Sequence, residues 1–167
     1  MKNRIVNING IDMEEFDGEY FPVGTVHEDE FYYYDEMNFV WDKPKNEVNI
    51  QTHGVDFQTA ALVFNDPNAL TVYDKMHSEE SGETRYNETG QPIDLHDTLD
   101  IPGFEDIPRA FLGEVEDVLL VVYTIREYDR KEYYRIISAR PADEDEIREY
   151  EKKKKQRKSD SFWRRSL

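Results

Sequence analysis

Apolar positions along the chain fall into short runs typical of β-strands. Residues 118–125 are predicted to form a strand. Because both alternating sets of positions between residues 119 and 123 are apolar or aromatic, this strand is predicted to be central and covered on both faces. The apolar run at 133–139 follows after a short polar segment and is predicted to be its hairpin partner. The other predicted strands are 37–41, 69–73, 83–86 and 109–115.

Residue types suited to helix ends predict a helix directly after the predicted strand at 37–41. Asp42 is a favourable N-cap, and Pro44 fits the first turn, where a missing N–H costs little. This helix is predicted to end near His53, because Gly54 can adopt the left-handed conformation that terminates helices.

Two further caps predict two more helices. Asp56 precedes an amphipathic helix at 57–64, and Asp143 precedes a helix that continues into the lysines after residue 151. Residues 87–108 contain several glycines and prolines among acids and are predicted to be a loop. Strands and helices together indicate an α+β domain.

Composition supports one globular domain with an uneven charge. Of the 167 residues, 38% are hydrophobic and 13% are aromatic. This aromatic share is too high for a wholly disordered chain. The net charge is −16, yet residues 152–167 carry net +7, leaving −23 on the remainder. An acidic body repels nucleic acid at long range, so any nucleic-acid role requires a local basic patch.

Three features that the sequence lacks bear on where in the cell the protein is expected to act. The sequence has no apolar run long enough for a membrane span, and residues 1–10 do not resemble a secretion signal. It also has no cysteine, which excludes disulfides and a thiol nucleophile and fits a cytoplasmic protein. The predicted organisation is an acidic aromatic extension (1–36), a domain (37–151) with an acidic insertion near 87–108, and a basic tail (152–167), which is expected to be a solvated helix end.

Four segments stand out, in order along residues 39–85 and 109–150. They are Phe39-Val40-Trp41-Asp42-Lys43-Pro44-Lys45-Asn46 with Asn49, His53-Gly54-Val55-Asp56-Phe57, Ala60 and Phe64; Asp74 with His77-Ser78, Glu83 and Arg85; Leu119-Leu120-Val121-Val122-Tyr123-Thr124; and Arg135-Ile136-Ile137-Ser138-Ala139-Arg140 with Ala142, Glu146 and Tyr150. Together these segments resemble the BrnT family of small bacterial toxins.

The resemblance implies a RelE-like α+β fold: an antiparallel sheet with two helices on its N-terminal side and one C-terminal helix. It implies a ribonuclease that halts translation and is neutralised by a BrnA-type antitoxin. Thr52 stands where the family usually has lysine, and Ile147 where it often has arginine. The acidic extension and insertion are additional to the family pattern.

RNA cleavage without a metal needs a proton acceptor, a proton donor and cations that bind the phosphate. Arg135 and Arg140 are the first candidates for phosphate binding. Five residues apart on one strand, they are expected to face opposite sides unless a turn at Pro141 redirects Arg140. The alternative for Arg135 is a structural ion pair with a carboxylate of the acidic body.

Three further residues are candidates for the catalytic group. Glu83 and Arg85 share a strand face and suit a base and a second phosphate ligand, or else a local ion pair. His53 lies at a helix C-terminus, where the dipole favours its protonated form and a role as general acid. The alternative for His53 is a structural role at the helix end. His77, in a predicted loop, is a weaker candidate.

Four residues are candidate RNA contacts, each with a structural alternative. Trp41 suits base stacking but more often belongs to a core, and Lys45 is expected on the exposed side of its helix. Arg126 is expected to form one cationic cleft with Lys45, Arg85, Arg135 and Arg140. Tyr150 could pack on the sheet or offer its hydroxyl to the site. No spacing of a metal site or phosphate loop occurs, so neither a metal nor a cofactor is expected.

Two functions from different classes therefore remain. One is a BrnT-like ribonuclease toxin that binds RNA in a cationic cleft. The other is a non-catalytic protein-binding module on the same scaffold, in which the acidic segments contact a partner. A third hypothesis joins them: the extension, with net charge −8, lies over the cleft and inhibits it.

Overall fold

The computed structural model describes residues 4–98, 102–103, 105–108 and 117–166, without the side chains of 158–166, and has an α+β architecture. The strands in these residues are β1 Ile5–Ile8, β2 Ile11–Phe16, β3 Glu19–Pro22, β4 Asp29–Tyr34, β5 Met37–Asp42, β6 Leu70–Tyr73, β7 Tyr86–Gly90, β8 Leu119–Tyr128 and β9 Lys131–Pro141. The helices are α1 Lys43–His53, α2 Phe57–Ala61, α3 Lys75–Ser81 and α4 Glu144–Ser166.

The main sheet has six strands in the order β4-β5-β9-β8-β7-β6. Its pairs are antiparallel except β5–β9, which is parallel, so the sheet is mixed and the expected antiparallel pairing holds for the other four pairs. A parallel pair requires a long crossover, which the chain from α1 to β8 supplies. The predicted central strand and its hairpin partner are confirmed as β8 and β9.

A β-bulge in β9 changes which side chains share a face. Val122 pairs with Ser138 whereas Tyr123 pairs with Ile136, so Ile137 is the extra residue. Consequently Ile136 and Ala139, three residues apart, both join the main core.

The same bulge overturns one sequence expectation about two arginines. The reversed alternation places Arg135 and Arg140 on the same face of the sheet, opposite the core, where opposite faces were expected. At about 3.3 Å per residue they are still roughly 15 Å apart along the strand.

The two predicted helices after β5 form with their predicted caps. The Lys45 N–H donates to the Asp42 carboxylate at 3.3 Å, and Gly54 ends α1 at φ 70°. Asp56 caps α2, which is shorter than predicted because the chain continues as a 3₁₀ helix, Leu62–Asn65. In addition, α3 lies where a polar loop was expected.

Strand β7 begins later than the predicted strand at 83–86 and extends into the predicted loop. Its last residue, Gly90, lies so close to the segment after the 3₁₀ helix that a Cβ there would be 3.0 Å from the Ala69 Cβ and the Asp66 carboxylate. The glycine thus serves a close approach within a strand, not a loop. The strand predicted at 109–115 lies outside the described residues.

The N-terminal segment is more ordered than its composition indicates. Strands β1, β2 and β3 form an antiparallel sheet of their own, joined by turns at Asn9-Gly10 and Asp17-Gly18 with positive φ at every turn residue. Strand β4 instead pairs with β5 along its whole length. The main sheet therefore continues across the boundary placed at residue 36.

The core lies between the main sheet and α2. Phe39, Trp41, Phe57, Val121 and Ile136 are at most 1% exposed there. The predicted C-terminal helix is confirmed as α4, and the Glu146 N–H donates to Asp143 in its first turn. Within the described part of the chain, no helix is long and apolar enough to span a membrane.

Candidate active site

Four cations from separate elements gather on the face of the sheet opposite the core. Arg126 comes from β8, Arg135 from β9, Lys45 from the first turn of α1, and Arg85 from the residue before β7. We call Lys45, Arg85, Arg126 and Arg135 the cation cluster. Lys45, Arg85 and Arg135 are buried, and the Arg126 side chain is 33% exposed.

A single carboxylate from the N-terminal sheet lies at the centre of the cation cluster. Asp17, in the β2–β3 turn, accepts hydrogen bonds from Arg135 at 2.8 and 3.1 Å and from Arg126 at 3.2 Å. The Asp17 backbone carbonyl also accepts from the Lys45 ammonium. One residue of the hairpin thus contacts three of the four cations.

Two other carboxylates pair with the arginines of the cluster, so three carboxylates face four cations. Glu83 accepts from Arg126 at 2.6 and 2.9 Å and from Arg85 at 3.2 Å. Asp29 accepts from Arg135 at 2.8 Å. The structural ion pairs considered for Arg135 and for Glu83 with Arg85 are therefore present.

The electrostatics of the cluster follow from burial and charge. Burial alone would raise the pKa of Asp17, but the Arg135 and Arg126 guanidiniums outweigh it and hold that pKa below its usual range. Hydrogen bonds from Arg126 do the same for the pKa of Glu83. Burial lowers the pKa of Lys45 to about 8, although Glu19 and Asp17 act in the opposite direction. Both acids are therefore ionised at neutral pH, and Lys45 is close to its titration point.

A cavity of about 320 Å³ opens beside the cation cluster. Its lining includes two cluster members, Lys45 and Arg85, and two histidines, His53 and His77. The β2–β3 hairpin forms another wall, through Asp17 and its neighbours. The cavity is therefore lined by imidazoles, which can transfer protons, and by cations, which can bind anions, next to the Asp17 carboxylate.

His77 is held in a defined orientation at this cavity. Its Nδ1 lies 2.5 Å from the Asp74 carboxylate, whose pKa is lowered despite the opposing effect of burial, chiefly by hydrogen bonds from His77. An ionised carboxylate accepts hydrogen bonds only, so Nδ1 carries the proton and a neutral His77 has its Nε2 lone pair free. This is the arrangement of a general base. Helix α3, which carries His77, replaces the loop predicted there.

The N-terminal sheet is attached to the domain by contacts around His27. The His27 Nδ1 lies 2.8 Å from the buried Asp42 carboxylate, which also accepts from the Glu28 backbone N–H. The His27 ring stacks on Phe16 at 3.7 Å and meets Phe21 edge-on at 4.9 Å. These contacts hold the hairpin that carries Asp17.

The structure separates Arg140 from the other predicted cations. Arg140 forms a two-point ion pair with Glu146 of α4, at 2.7 and 2.9 Å. Because strand and bulge geometry place it about four to five residue lengths beyond Arg135, it does not join the cluster.

Burial excludes two of the predicted RNA contacts, Trp41 and Tyr150, and corrects the exposure expected of a third, Lys45. Trp41 is 1% exposed and lies in the core, the alternative stated for it, and Tyr150 is 0% exposed. Neither side chain presents a surface to RNA. Lys45 is 5% exposed, because it turns toward Asp17 and not toward solvent as expected. Arg126 and His53 retain exposed surface.

Replacing Tyr150 by phenylalanine is expected to lower the free energy of unfolding by about 1–3 kcal/mol. The Tyr150 hydroxyl donates to the buried Asp66 carboxylate at 2.6 Å, and the variant leaves that oxygen with fewer donors. Urea unfolding measures the change. The matched control is Tyr73→Phe on exposed β6, expected within about 0.5 kcal/mol of the parent; equal losses in both would contradict the buried hydrogen bond.

Asp17 is the site residue that the sequence analysis does not single out. One local signal was available, since Asp-Gly between two alternating segments is a strong hairpin signal. Nothing local indicates that the turn carboxylate meets arginines more than a hundred residues away. Among the described residues, no group of three or more His, Asp or Glu side chains is arranged to hold a metal ion.

Comparison with known protein families gives a match to the middle of the chain. Residues 41–96 match the family model of the BrnT ribonuclease toxin of type II toxin–antitoxin systems. The resemblance to BrnT is thereby confirmed over this segment. The BrnT-like segment contains Lys45, His53, His77, Glu83 and Arg85. A comparison with curated proteins gives no match.

The remaining members of the site lie outside the BrnT-like segment. Arg126 and Arg135 follow it, and Asp17 precedes it in the N-terminal sheet. The carboxylate at the centre of the cation cluster is therefore supplied by a part of the chain that the BrnT match does not include.

Proposed function

We propose that the protein is a cytoplasmic BrnT-like toxin that cleaves RNA without a metal and so inhibits translation, and that its RNA site is occupied by its own Asp17. The observation that carries the proposal is the convergence of three cations on Asp17, beside a cavity lined by His53 and His77. Arg126 and Arg135 donate to the Asp17 carboxylate, and Lys45 donates to its backbone carbonyl. A RelE-like fold and a BrnA-type antitoxin partner belong to the same proposal.

The proposed chemistry assigns one task to each group. His77, oriented by Asp74, removes the proton from the 2′-hydroxyl, and His53 protonates the departing 5′-oxygen. Lys45, Arg85, Arg126 and Arg135 bind the phosphate and stabilise the charge that develops on it. Glu83 has a lowered pKa and is a weak base, so we assign it to positioning Arg85 and Arg126.

Asp17 occupies the position that the proposal gives to the phosphate. Its carboxylate carries the same sign of charge and uses the donors that would bind phosphate oxygens, including two N–H groups of Arg135. RNA must displace this carboxylate before it reaches the cluster. The acidic extension then inhibits the cleft, as the third hypothesis holds.

The Asp17→Asn variant tests this directly. Asparagine keeps the shape of the side chain and tolerates the positive φ of 48°, but it removes the competing charge. We expect affinity for single-stranded RNA to rise about tenfold, the change that about 1.4 kcal/mol produces. We also expect cleavage in the presence of EDTA and slower growth when the variant is expressed.

Two controls make the result specific. Asp129→Asn changes the same residue type at a turn φ of 49° outside the cation cluster and is expected to leave RNA affinity unchanged. Adding His53→Gln to Asp17→Asn is expected to reduce cleavage by about 100-fold or more, the contribution of one proton-transfer group. A folded Asp17→Asn protein that neither binds nor cleaves RNA would contradict the proposal.

The second candidate function, a non-catalytic protein-binding module, is favoured by one specific observation. Every arginine of the cation cluster already has a carboxylate partner, as a purely structural ion-pair network would. This candidate predicts that Asp17→Asn loses stability and gains no RNA affinity. Pull-down of a partner whose binding weakens in high salt would then support a charge-driven protein contact.

A further inference from the structure

Four aromatic side chains form a cluster on the same sheet face as the cation cluster. Phe31 packs edge-on against Tyr128 and Tyr133 with ring centroids 5.6 and 5.5 Å apart, and Tyr128 lies 5.3 Å from Tyr133. The Tyr33 hydroxyl lies 3.2 Å from the Tyr133 hydroxyl. We call Phe31, Tyr33, Tyr128 and Tyr133 the aromatic platform.

The aromatic platform is both exposed and rigidly supported. Phe31 is 44% exposed and Tyr33 is 60% exposed, whereas Tyr133 beneath them is 7% exposed. Phe31 and Tyr33 are alternate residues of β4, so both project from the same face of the strand. Rings fixed in this way present apolar area to a ligand at little cost in conformational entropy.

Arg135 connects the aromatic platform to the cation cluster. Its Nη1 lies 3.0 Å from the Tyr128 hydroxyl, while its other nitrogens hold Asp17. Cross-strand pairing also places Phe31 beside Val40, and Val40 beside Arg135. Two strand spacings, about 10 Å, therefore separate Phe31 from Arg135.

We infer that the aromatic platform is a stacking site for the bases of single-stranded RNA whose phosphate binds the cation cluster; this inference rests on the proposed function. Single-stranded nucleic acid is bound by this combination of features, cations for the backbone and exposed rings for the bases. The continuity through Arg135 favours RNA over a protein ligand for this face. Base stacking on rings accepts any base, so the site adds affinity for unpaired RNA with little sequence selectivity.

The experiment uses RNA that cannot be cleaved through its 2′-hydroxyl. The probe is a short single-stranded 2′-O-methyl RNA containing 2-aminopurine, whose fluorescence falls on stacking. It is titrated into the full-length Asp17→Asn protein and its variants. We expect Phe31→Leu and Tyr33→Leu each to weaken binding about tenfold, within the range for loss of one stacked base, and to reduce the quenching.

The matched control is Tyr73→Leu at the other edge of the sheet. Tyr73 is 54% exposed on β6, packs against Tyr86 and lies outside the aromatic platform, so its loss is expected to leave RNA affinity within about twofold. Double-stranded RNA of the same sequence is expected to bind all variants alike, because its bases are not available for stacking.

The outcomes separate this inference from the proposed function. Binding and quenching that depend on Phe31 and Tyr33, with no cleavage of ordinary RNA by the Asp17→Asn protein, would support the platform and refute the nuclease. Unchanged affinity in both leucine variants would overturn the platform, as would impaired antitoxin binding in variants that retain RNA affinity. Absence of RNA binding by the Asp17→Asn protein would overturn both.

Discussion

Arg135→Met is expected to lower the free energy of unfolding by about 3–5 kcal/mol. The Arg135 side chain is 2% exposed and donates to Asp17, Asp29 and the Tyr128 hydroxyl. Methionine fills similar space, so the main loss is the positive charge that compensates the Asp17 carboxylate, which is 11% exposed. Chemical denaturation at pH 7 measures the change.

The chain offers a matched control for this substitution. Arg140 lies on the same strand and is also paired with a carboxylate, but its side chain is 38% exposed. Arg140→Met is therefore expected to cost no more than about 1 kcal/mol. The double variant Arg135→Met with Asp17→Asn should lose less stability than the sum of the two single losses, because both residues belong to one interaction. Strictly additive losses would show that the pair is not coupled.

Stability is expected to rise with pH between about 8 and 10.5 because of Lys45. Burial lowers the pKa of Lys45 from 10.5 to about 8 in the folded chain, so the unfolded chain binds more protons in this interval. Stability then increases as pH rises through it. A pKa difference of one between the folded and unfolded chains corresponds to about 1.36 kcal/mol, so the gain over the whole interval amounts to roughly 3 kcal/mol.

Lys45→Met isolates this effect from all other titrations. The difference in unfolding free energy between the parent and Lys45→Met should change by roughly 2 kcal/mol from pH 7 to pH 9.5, in favour of the parent at the higher pH. Lys43→Met serves as a control, because Lys43 is half-exposed on the same helix. A difference that stays constant over this range would refute the depressed pKa.

Local chemistry made the elements around the site predictable. Asp42, Pro44 and Gly54 define α1 through caps that act within four residues, and α1 forms between them as expected. The doubly apolar run of β8 identified a central strand for an equally local reason, since both faces of that strand are covered.

Local sequence patterns did not predict the features that depend on residues far apart in the chain. The bulge at Ile137 reverses the alternation of β9, and it arises from pairing with β8, not from the residues of β9 alone. Arg135 donates to the carboxylates of Asp17 and Asp29, which are more than a hundred residues away in the sequence. Polar residues with such partners become buried, which is why Lys45 is enclosed on a helix whose own pattern predicts exposure.

The N-terminal sheet shows both what local sequence patterns predict and what they do not. The two turns of this sheet, Asn9-Gly10 and Asp17-Gly18, are short-range signals that predict hairpins. Order comes from tertiary contacts such as His27 with Asp42. The function of the turn carboxylate depends on the same contacts.

The distance in sequence between Asp17 and Arg135 has a consequence during protein synthesis. Because 118 residues separate them, the ribosome completes the acidic hairpin about 6–24 s before it adds Arg135, at ordinary elongation rates. The guanidinium therefore emerges into a chain whose carboxylate is already present. The ion pair between Asp17 and Arg135 can therefore form as soon as residue 135 leaves the ribosome.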